Sequence, residues 1–248
     1  MPEGDTIFRA ARTLDRALSG KVVTRFETVL PRLARVDDQT PLRGRTVERV
    51  TATGKHLIIE FSGALFLRTH LRMNGSWHLY RAGERWRKRR DDMRLVIATD
   101  DFEAVGFNIP VAEFQSGSDV PGLGPDLLSD SFDSDEAMRR IRAQQSTEIA
   151  DVLLNQRVIA GIGNIYKSEV LFSCGVSPFR KVSELDDDVL RRIVKRARAM
   201  LERSTRERPR FLVYERGGQP CRKCGTRIER RKQGDDARGT YWCPRCQK

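Results

Sequence analysis

Four cysteines near the end of the chain, Cys221-x-x-Cys224 and Cys243-x-x-Cys246, constrain its fold more than any other feature. Eighteen residues separate the two pairs, with Gly234-Asp235-Asp236 midway. That spacing reads as two knuckles on a β-hairpin, closed by one tetrahedral metal ion. Four thiolates leave no open coordination position, so the expected cofactor is one structural Zn2+ per chain rather than a catalytic metal. The segment from about Phe211 is also too short for a hydrophobic core and needs such a staple. Cys174, in an apolar setting, is left over.

The charge balance points to the partner. Among 248 residues, 46 Lys and Arg oppose 34 Asp and Glu, a net +12. The last 48 residues carry 14 basic and 6 acidic side chains, so a surplus of eight sits at the C-terminal end. A soluble protein so basic calls for a polyanion, and nucleic acid is the leading candidate. No stretch approaches the roughly 18 apolar residues of a spanning helix, which argues against a membrane-embedded fold, and no membrane partner is expected. The start, Met1-Pro2-Glu3-Gly4-Asp5, is acidic where a signal peptide is basic. A cytoplasmic, nucleoid-associated protein is expected, and its thiols are expected to stay reduced rather than form a disulfide framework.

The texture of the chain changes twice. Ile7, Phe8, Ala11, Leu14 and Leu18 recur at helical spacing and predict one amphipathic helix. From Lys21 to about Phe114, short apolar runs between turn residues predict an antiparallel β domain. Its basic stretch Arg85–Arg90, around Trp86, reads as a solvated loop. Gly117, Pro121, Gly122, Gly124 and Pro125 then mark a break. Helices are expected at about 133–142, 148–155, 164–172 and 186–203. The expected boundaries are 1–115 for the β domain, 116–130 for a linker, 131–210 for a helical domain and 211–248 for the finger.

Two local motifs carry chemistry. The glycines of Val158-Ile-Ala-Gly161-Ile-Gly163-Asn164 permit close backbone approach at a helix start, where amides could hold a phosphate. An ordinary tight helix-helix turn has the same look, and on these residues alone it is the preferred reading. Pro2 follows the initiator methionine; removal of Met1 would leave a secondary amine with a pKa of about 8, a usable nucleophile near neutral pH. Attack on a deoxyribose anomeric carbon would give an iminium, with Glu3 the adjacent acid. An unremarkable N-terminus is the competing reading, and the motif decides nothing alone.

Taken together, the residues resemble the Fpg/Nei family of DNA glycosylases along the whole chain. The resemblance rests on Pro2-Glu3-Gly4, Thr53-Gly54-Lys55-His56-Leu57, His70-Leu71-Arg72-Met73-Asn74-Gly75, Leu123-Gly124-Pro125-Asp126, the run from Asn155 to Tyr166, Val213-Tyr214, and Tyr241-Trp242-Cys243. It implies an α+β multidomain fold: an N-terminal β-sandwich opened by a helix, a helix-two-turns-helix domain and a β-hairpin zinc finger. It implies a bifunctional glycosylase and abasic-site lyase acting on damaged DNA, duplex or single-stranded, as a monomer. Pro2 would be the Schiff-base nucleophile, Glu3 the acid, and Lys55 a phosphate contact that assists strand cleavage. Asn164 and Arg238 would clamp the backbone, and Met73 would help fill the space of an extruded base; a methionine after a strand is a core residue at least as often.

The sequence departs from the family pattern in four places. Thr6 stands where an acidic residue usually follows, with Asp5 one place earlier. Asp101-Phe-Glu-Ala-Val-Gly106 replaces the Arg/Phe wedge of the 8-oxoguanine branch. The finger spacing is about two residues longer than usual, which is assigned to the hairpin tip. The missing wedge, a stretch before the finger that is short for the lesion-capping loop of the 8-oxoguanine branch, and Gly4, Gly54-Lys55-His56 and Tyr241-Trp242 before Cys243 favour the endonuclease VIII side and oxidised pyrimidines, cut by β,δ-elimination. An 8-oxoguanine or formamidopyrimidine glycosylase, and a non-catalytic damage-binding relative, are the alternatives.

Overall fold

The computed structural model describes residues 2–248. They form two compact units, Pro2 with Thr6–Pro121, and Glu3–Asp5 with Gly122–Lys248.

In the first unit, helix α1 (Gly4–Leu18) buries Ile7, Ala11, Leu14 and Leu18 along one face. After it come β1 (Arg25–Thr28), α2 (Pro31–Gln39), β2 (Val47–Thr53), β3 (His56–Phe61), β4 (Leu65–His70), β5 (Ser76–Arg81), β6 (Met93–Ala98), β7 (Phe102–Phe107) and β8 (Val111–Gln115). The strands form two four-stranded sheets, ordered β1-β6-β7-β5 and β2-β3-β4-β8, with every neighbouring pair antiparallel. Leu57, Ile59, Phe61 and Leu67 of one sheet meet Leu95, Ile97 and Ala104 of the other in a cluster that also takes in α1. The result is the expected β-sandwich opened by a helix.

Strand texture over 21–114 gave no sign of α2. Pro31 presets the backbone at its start, but Leu33 is its one buried residue, so no helical period is visible. The basic stretch is a solvated loop, as expected, with Trp86 turned onto the sheet. Val96 and Val105 point away from the main core and are covered, with Tyr80, Met93 and Phe107, by Trp86. Arg87, Lys88 and Arg90 lie over the Tyr80, Phe107 and Trp86 rings at 5.6, 5.7 and 5.4 Å. These cations hold a lid on the sheet while Arg87, Arg89 and Arg90 stay exposed to water.

The second unit contains α3 (Ser134–Arg142), α4 (Ile149–Leu154), α5 (Asn164–Cys174), α6 (Asp187–Ser204) and a hairpin of β9 (Glu229–Gln233) and β10 (Arg238–Trp242). Asp133 and Asp186 cap α3 and α6, their carboxylates accepting from the Glu136 and Val189 amides. Of the stretch 116–130, Leu127 is fully buried in the helical core, and Gly124 N and Ala160 N donate to Gln156 O and Pro125 O. Helix α5 is the centre of the unit: every residue from Tyr166 to Phe172 is buried. Phe172 packs with Val213, Cys221, Ile228 and Cys243, so the finger borrows a core from α5. Among the described residues, no helix is long and apolar enough to cross a membrane.

Candidate functional site

Lys55 and Met73 share one end of the sheet β2-β3-β4. Lys55 sits in the turn between Thr53 and His56, which pair across β2 and β3; His56 in turn pairs with His70 on β4. The two imidazoles pack edge to face at 4.7 Å. His70 Nδ1 accepts from the Arg72 amide at 3.1 Å, and Arg68 Nη1 lies 3.4 Å from His56 Nδ1, so both rings serve as neutral acceptors. Burial, then surrounding cations including Lys55, Arg68 and Arg72, pushes His56 down to about 3 and His70 to about 4. The positive charge around Lys55 therefore comes from lysine and arginine, not histidine. Arg72 adopts a left-handed backbone, φ 49°, and Met73 after it stands 63% exposed. Met73 is not a core residue; it lines an open cavity of about 550 Å³ with Arg72, Asn74, Arg94 and Asn108. Pro2 is half-buried. Removal of Met1, on which a Pro2 amine depends, concerns a residue outside those described.

Glu3 is 1% exposed. Its Oε1 accepts from Ile165 N at 2.7 Å, and its Oε2 from Gly163 N at 2.9 Å and Tyr166 N at 3.2 Å. The N-terminus of α5 does hold an anion, as its amides and dipole favour. That anion is Glu3, so these amides are not a free phosphate cradle. The glycines are required by the same contact. A Cβ on Gly163 would lie 2.4 Å from Glu3 Cδ, and one on Gly4 would lie 3.0 Å from Gly161 Cα, beside the 2.9 Å bond from Gly4 N to Gly161 O. Asp5, also buried, lies near Tyr166; burial, then the Asp5 charge, pushes that phenol up.

Asn164 is turned toward the finger. Its Nδ2 donates to Gly239 O at 2.8 Å, while its buried Oδ1 accepts no hydrogen bond among the described residues. Arg238, on the same strand β10, reaches Asp236 Oδ2 through Nη2 at 2.7 Å and Nε at 3.1 Å. It borders a groove of about 390 Å³ with Asp151, Asn155, Gln233 and Asp236. A phosphate arriving at Arg238 would compete with Asp236, a residue of the hairpin tip between β9 and β10.

The four cysteine sulfurs lie within 4.8 Å of one another, with Cys224–Cys243 at 3.5 Å and Cys221–Cys246 at 4.0 Å. A zinc tetrahedron with bonds of about 2.3 Å has sulfur-sulfur edges of about 3.8 Å. Burial, then the neighbouring sulfurs, pushes the Cys246 thiol up to about 12; four thiolates so close need a cation among them. The donor set fits one structural zinc.

Two buried charges escaped the sequence reading. Glu169, 1% exposed, accepts from the amides of Leu212, Val213 and Tyr214, each at 2.8 Å. Lys167, fully buried, donates to Thr240 Oγ1 at 2.7 Å. Their signal was present: Ile165-Tyr-Lys-Ser-Glu-Val-Leu-Phe172 has no polar helical face, so its charges had to be buried and bound.

Known proteins align with this architecture from end to end. Residues 1–108 match the formamidopyrimidine-DNA glycosylase N-terminal domain, 123–210 the formamidopyrimidine-DNA glycosylase H2TH domain, and 218–248 the zinc finger found in FPG and IleRS. The chain is 42% identical to a probable endonuclease 8 2 of Streptomyces coelicolor, over 100% of this chain and 94% of that protein. It is 39% identical to the DNA-(apurinic or apyrimidinic site) lyase Nei2 of Mycolicibacterium smegmatis, over 100% and 99%. Its fold matches the crystal structure of Lactococcus lactis Fpg in complex with an abasic site containing DNA, with a TM-score of 0.87, 23% identity and full coverage of both chains.

Proposed function

The chain belongs to the Fpg/Nei family of DNA glycosylases, and from that premise we propose a bifunctional glycosylase and abasic-site lyase of base excision repair that favours oxidised pyrimidines. The observation that carries the mechanism is Glu3, pinned by three backbone amides at the N-terminus of α5 next in sequence to Pro2. An anchored neighbour fixes where the N-terminal amine can go, and fixed geometry is what amine attack on C1′ requires.

With Met1 removed, the Pro2 nitrogen attacks C1′ as the damaged base departs with a proton taken from solvent water, and Glu3 relays the amine's proton to the opening sugar. The amine loses its proton and the ring oxygen gains one, leaving a C1′ iminium. Loss of a C2′ proton then expels the 3′ phosphate, and a second elimination expels the 5′ phosphate. Hydrolysis of the iminium returns the free amine. Lys55 and Arg238 contact backbone phosphates, Asn164 supports the Arg238 strand, and Met73 fills the space of the extruded base. Zinc, when bound by Cys221, Cys224, Cys243 and Cys246, supplies no chemistry beyond holding the finger. The protein works as a monomer on the nucleoid.

Borohydride trapping on an abasic-site oligonucleotide tests the nucleophile. The protein lacking Met1 should become covalently linked to DNA, and Pro2→Gly should reduce the linkage strongly. Equal trapping by Pro2→Gly would assign the Schiff base to a lysine. Duplexes carrying thymine glycol or 8-oxoguanine test the lesion; faster release of 8-oxoguanine would overturn the pyrimidine preference.

A further inference from the structure

A fully buried lysine without a carboxylate partner is expensive to maintain. Among the described residues Lys167 makes no ion pair; its Nζ reaches the Thr240 hydroxyl, which donates to Gln233 Oε1 at 2.7 Å. Gln233 Nε2 continues to Glu148 Oε2 at 2.5 Å and Pro178 O at 3.2 Å. One turn before Lys167 on α5, Asn164 holds Gly239 O. Helix α5 thus grips two successive residues of β10. Thr240 and Arg238 are two residues apart on one face of that strand, and Gln233 is the cross-strand partner of Arg238. Lys167 therefore bonds to the face of the hairpin from which Arg238 extends.

We propose that Lys167 is a positioning residue for the DNA-binding face of the finger and a concealed second cation beneath Arg238, so that DNA binding is coupled to its proton. This rests on the reading that Arg238 meets the DNA backbone.

The charges facing Lys167 agree with such coupling. Burial, the largest effect, lowers Lys167 to about 8; Arg238 of β10 lowers it as well, while Asp151 of α4 and Glu3 raise it. A phosphate on Arg238 would offset that repulsion and favour the ammonium, so binding near pH 8 takes up protons. The folded value lies below the unfolded 10.5, so between about 8 and 10.5 the unfolded chain holds more protons. This group's linkage makes the fold more stable as pH rises through that window. DNA affinity should fall over the same interval. Opposite trends separate loss of the cation from loss of the fold.

The test uses the full-length, zinc-loaded protein and a duplex carrying a tetrahydrofuran abasic analogue. Affinity is measured from pH 7 to 9.5, proton uptake by calorimetry in two buffers of different ionisation enthalpy, and folding by thermal melting. The unmodified protein should bind more weakly above pH 8, take up protons on binding, and show no fall in melting temperature over the same interval. Lys167→Met should bind more weakly at pH 7, with a flat pH profile and no proton uptake. Its salt slope should be shallower by about 0.9, making its affinity loss between 50 and 200 mM salt about threefold to fourfold smaller. Lys167→Arg should bind tightly with a flat profile. The proposal is overturned if Lys167→Met retains the original pH profile and proton uptake. If Lys167→Met does not fold, Lys167→Arg decides: a decline above pH 8 like that of the unmodified protein sinks the idea. Arg238→Ala identifies the other failure, because unchanged affinity and salt slope would refute DNA contact at the finger, whatever Lys167 does.

Discussion

Glu3→Gln separates holding from proton transfer. The substitution keeps the size of the side chain but replaces one acceptor oxygen by a donor. The best fit places the amide oxygen where Oε2 accepts from Gly163 N and Tyr166 N, leaving the new NH2 against Ile165 N, which now meets Oε1 at 2.7 Å. One buried donor left unpaired costs about 1–3 kcal/mol, and the lost charge at the helix N-terminus up to about 2 kcal/mol more. A total of about 1–5 kcal/mol lowers the melting temperature on the order of 2–20 °C in a protein of this size. Thermal melting gives the first readout and single-turnover release of thymine glycol the second. Excision should fall by about 10²–10⁴, while borohydride trapping on a preformed abasic site persists because Pro2 is intact. A melting temperature within about 1 °C of the original would mean that Glu3 is not pinned. Undiminished excision would remove its role in proton exchange.

Gly163→Ala reaches the same carboxylate without touching it. Its Cβ would come within 2.4 Å of Glu3 Cδ, so the carboxylate must leave the amides; excision should fall about a hundredfold by misplacement alone, measured under single-turnover conditions. Cys243→Ser should release zinc, detected by metal analysis, and raise amide exchange in the two knuckles. Exchange in β9 and β10 should rise less, because Asn164 and Lys167 still hold β10; equal loss of protection throughout 211–248 would show that these anchors do not act without zinc.

The elements legible in the sequence were those with their own periodicity. Helix α6 was expected over 186–203 and spans Asp187–Ser204, because Leu190, Ile193, Val194, Ala197 and Leu201 mark one face and Asp186 caps it. The cysteine quartet was legible because zinc geometry limits its spacing. Helix α2 was not, with one buried residue in nine. The glycines before α5 were seen, but whether their amides face water or protein cannot be read locally: Glu3, which fills the site, lies 160 residues from Gly163. The partners of Lys167 and Glu169 were hidden for a similar reason, since Thr240 and Leu212–Tyr214 lie far along the chain.

These long-range bonds share a design centred on α5. Glu3 and Glu169 are each held by three backbone amides, and Asn164 by a backbone carbonyl; Lys167 uses a hydroxyl. None of these bonds pairs one charged side chain with another. Main-chain partners lack the rotamer freedom of a long charged side chain, so each contact fixes a segment of chain rather than a side-chain tip. A helix with apolar residues all around would pack well but would leave the N-terminal residues, the strap at 212–214 and the finger free to slide on it. Buried polar groups with single matching partners remove that freedom, and they do so where catalysis needs registration to within about 1 Å. The bonds of α5 therefore register its N-terminal carboxylate, the strap and the finger on one rigid element.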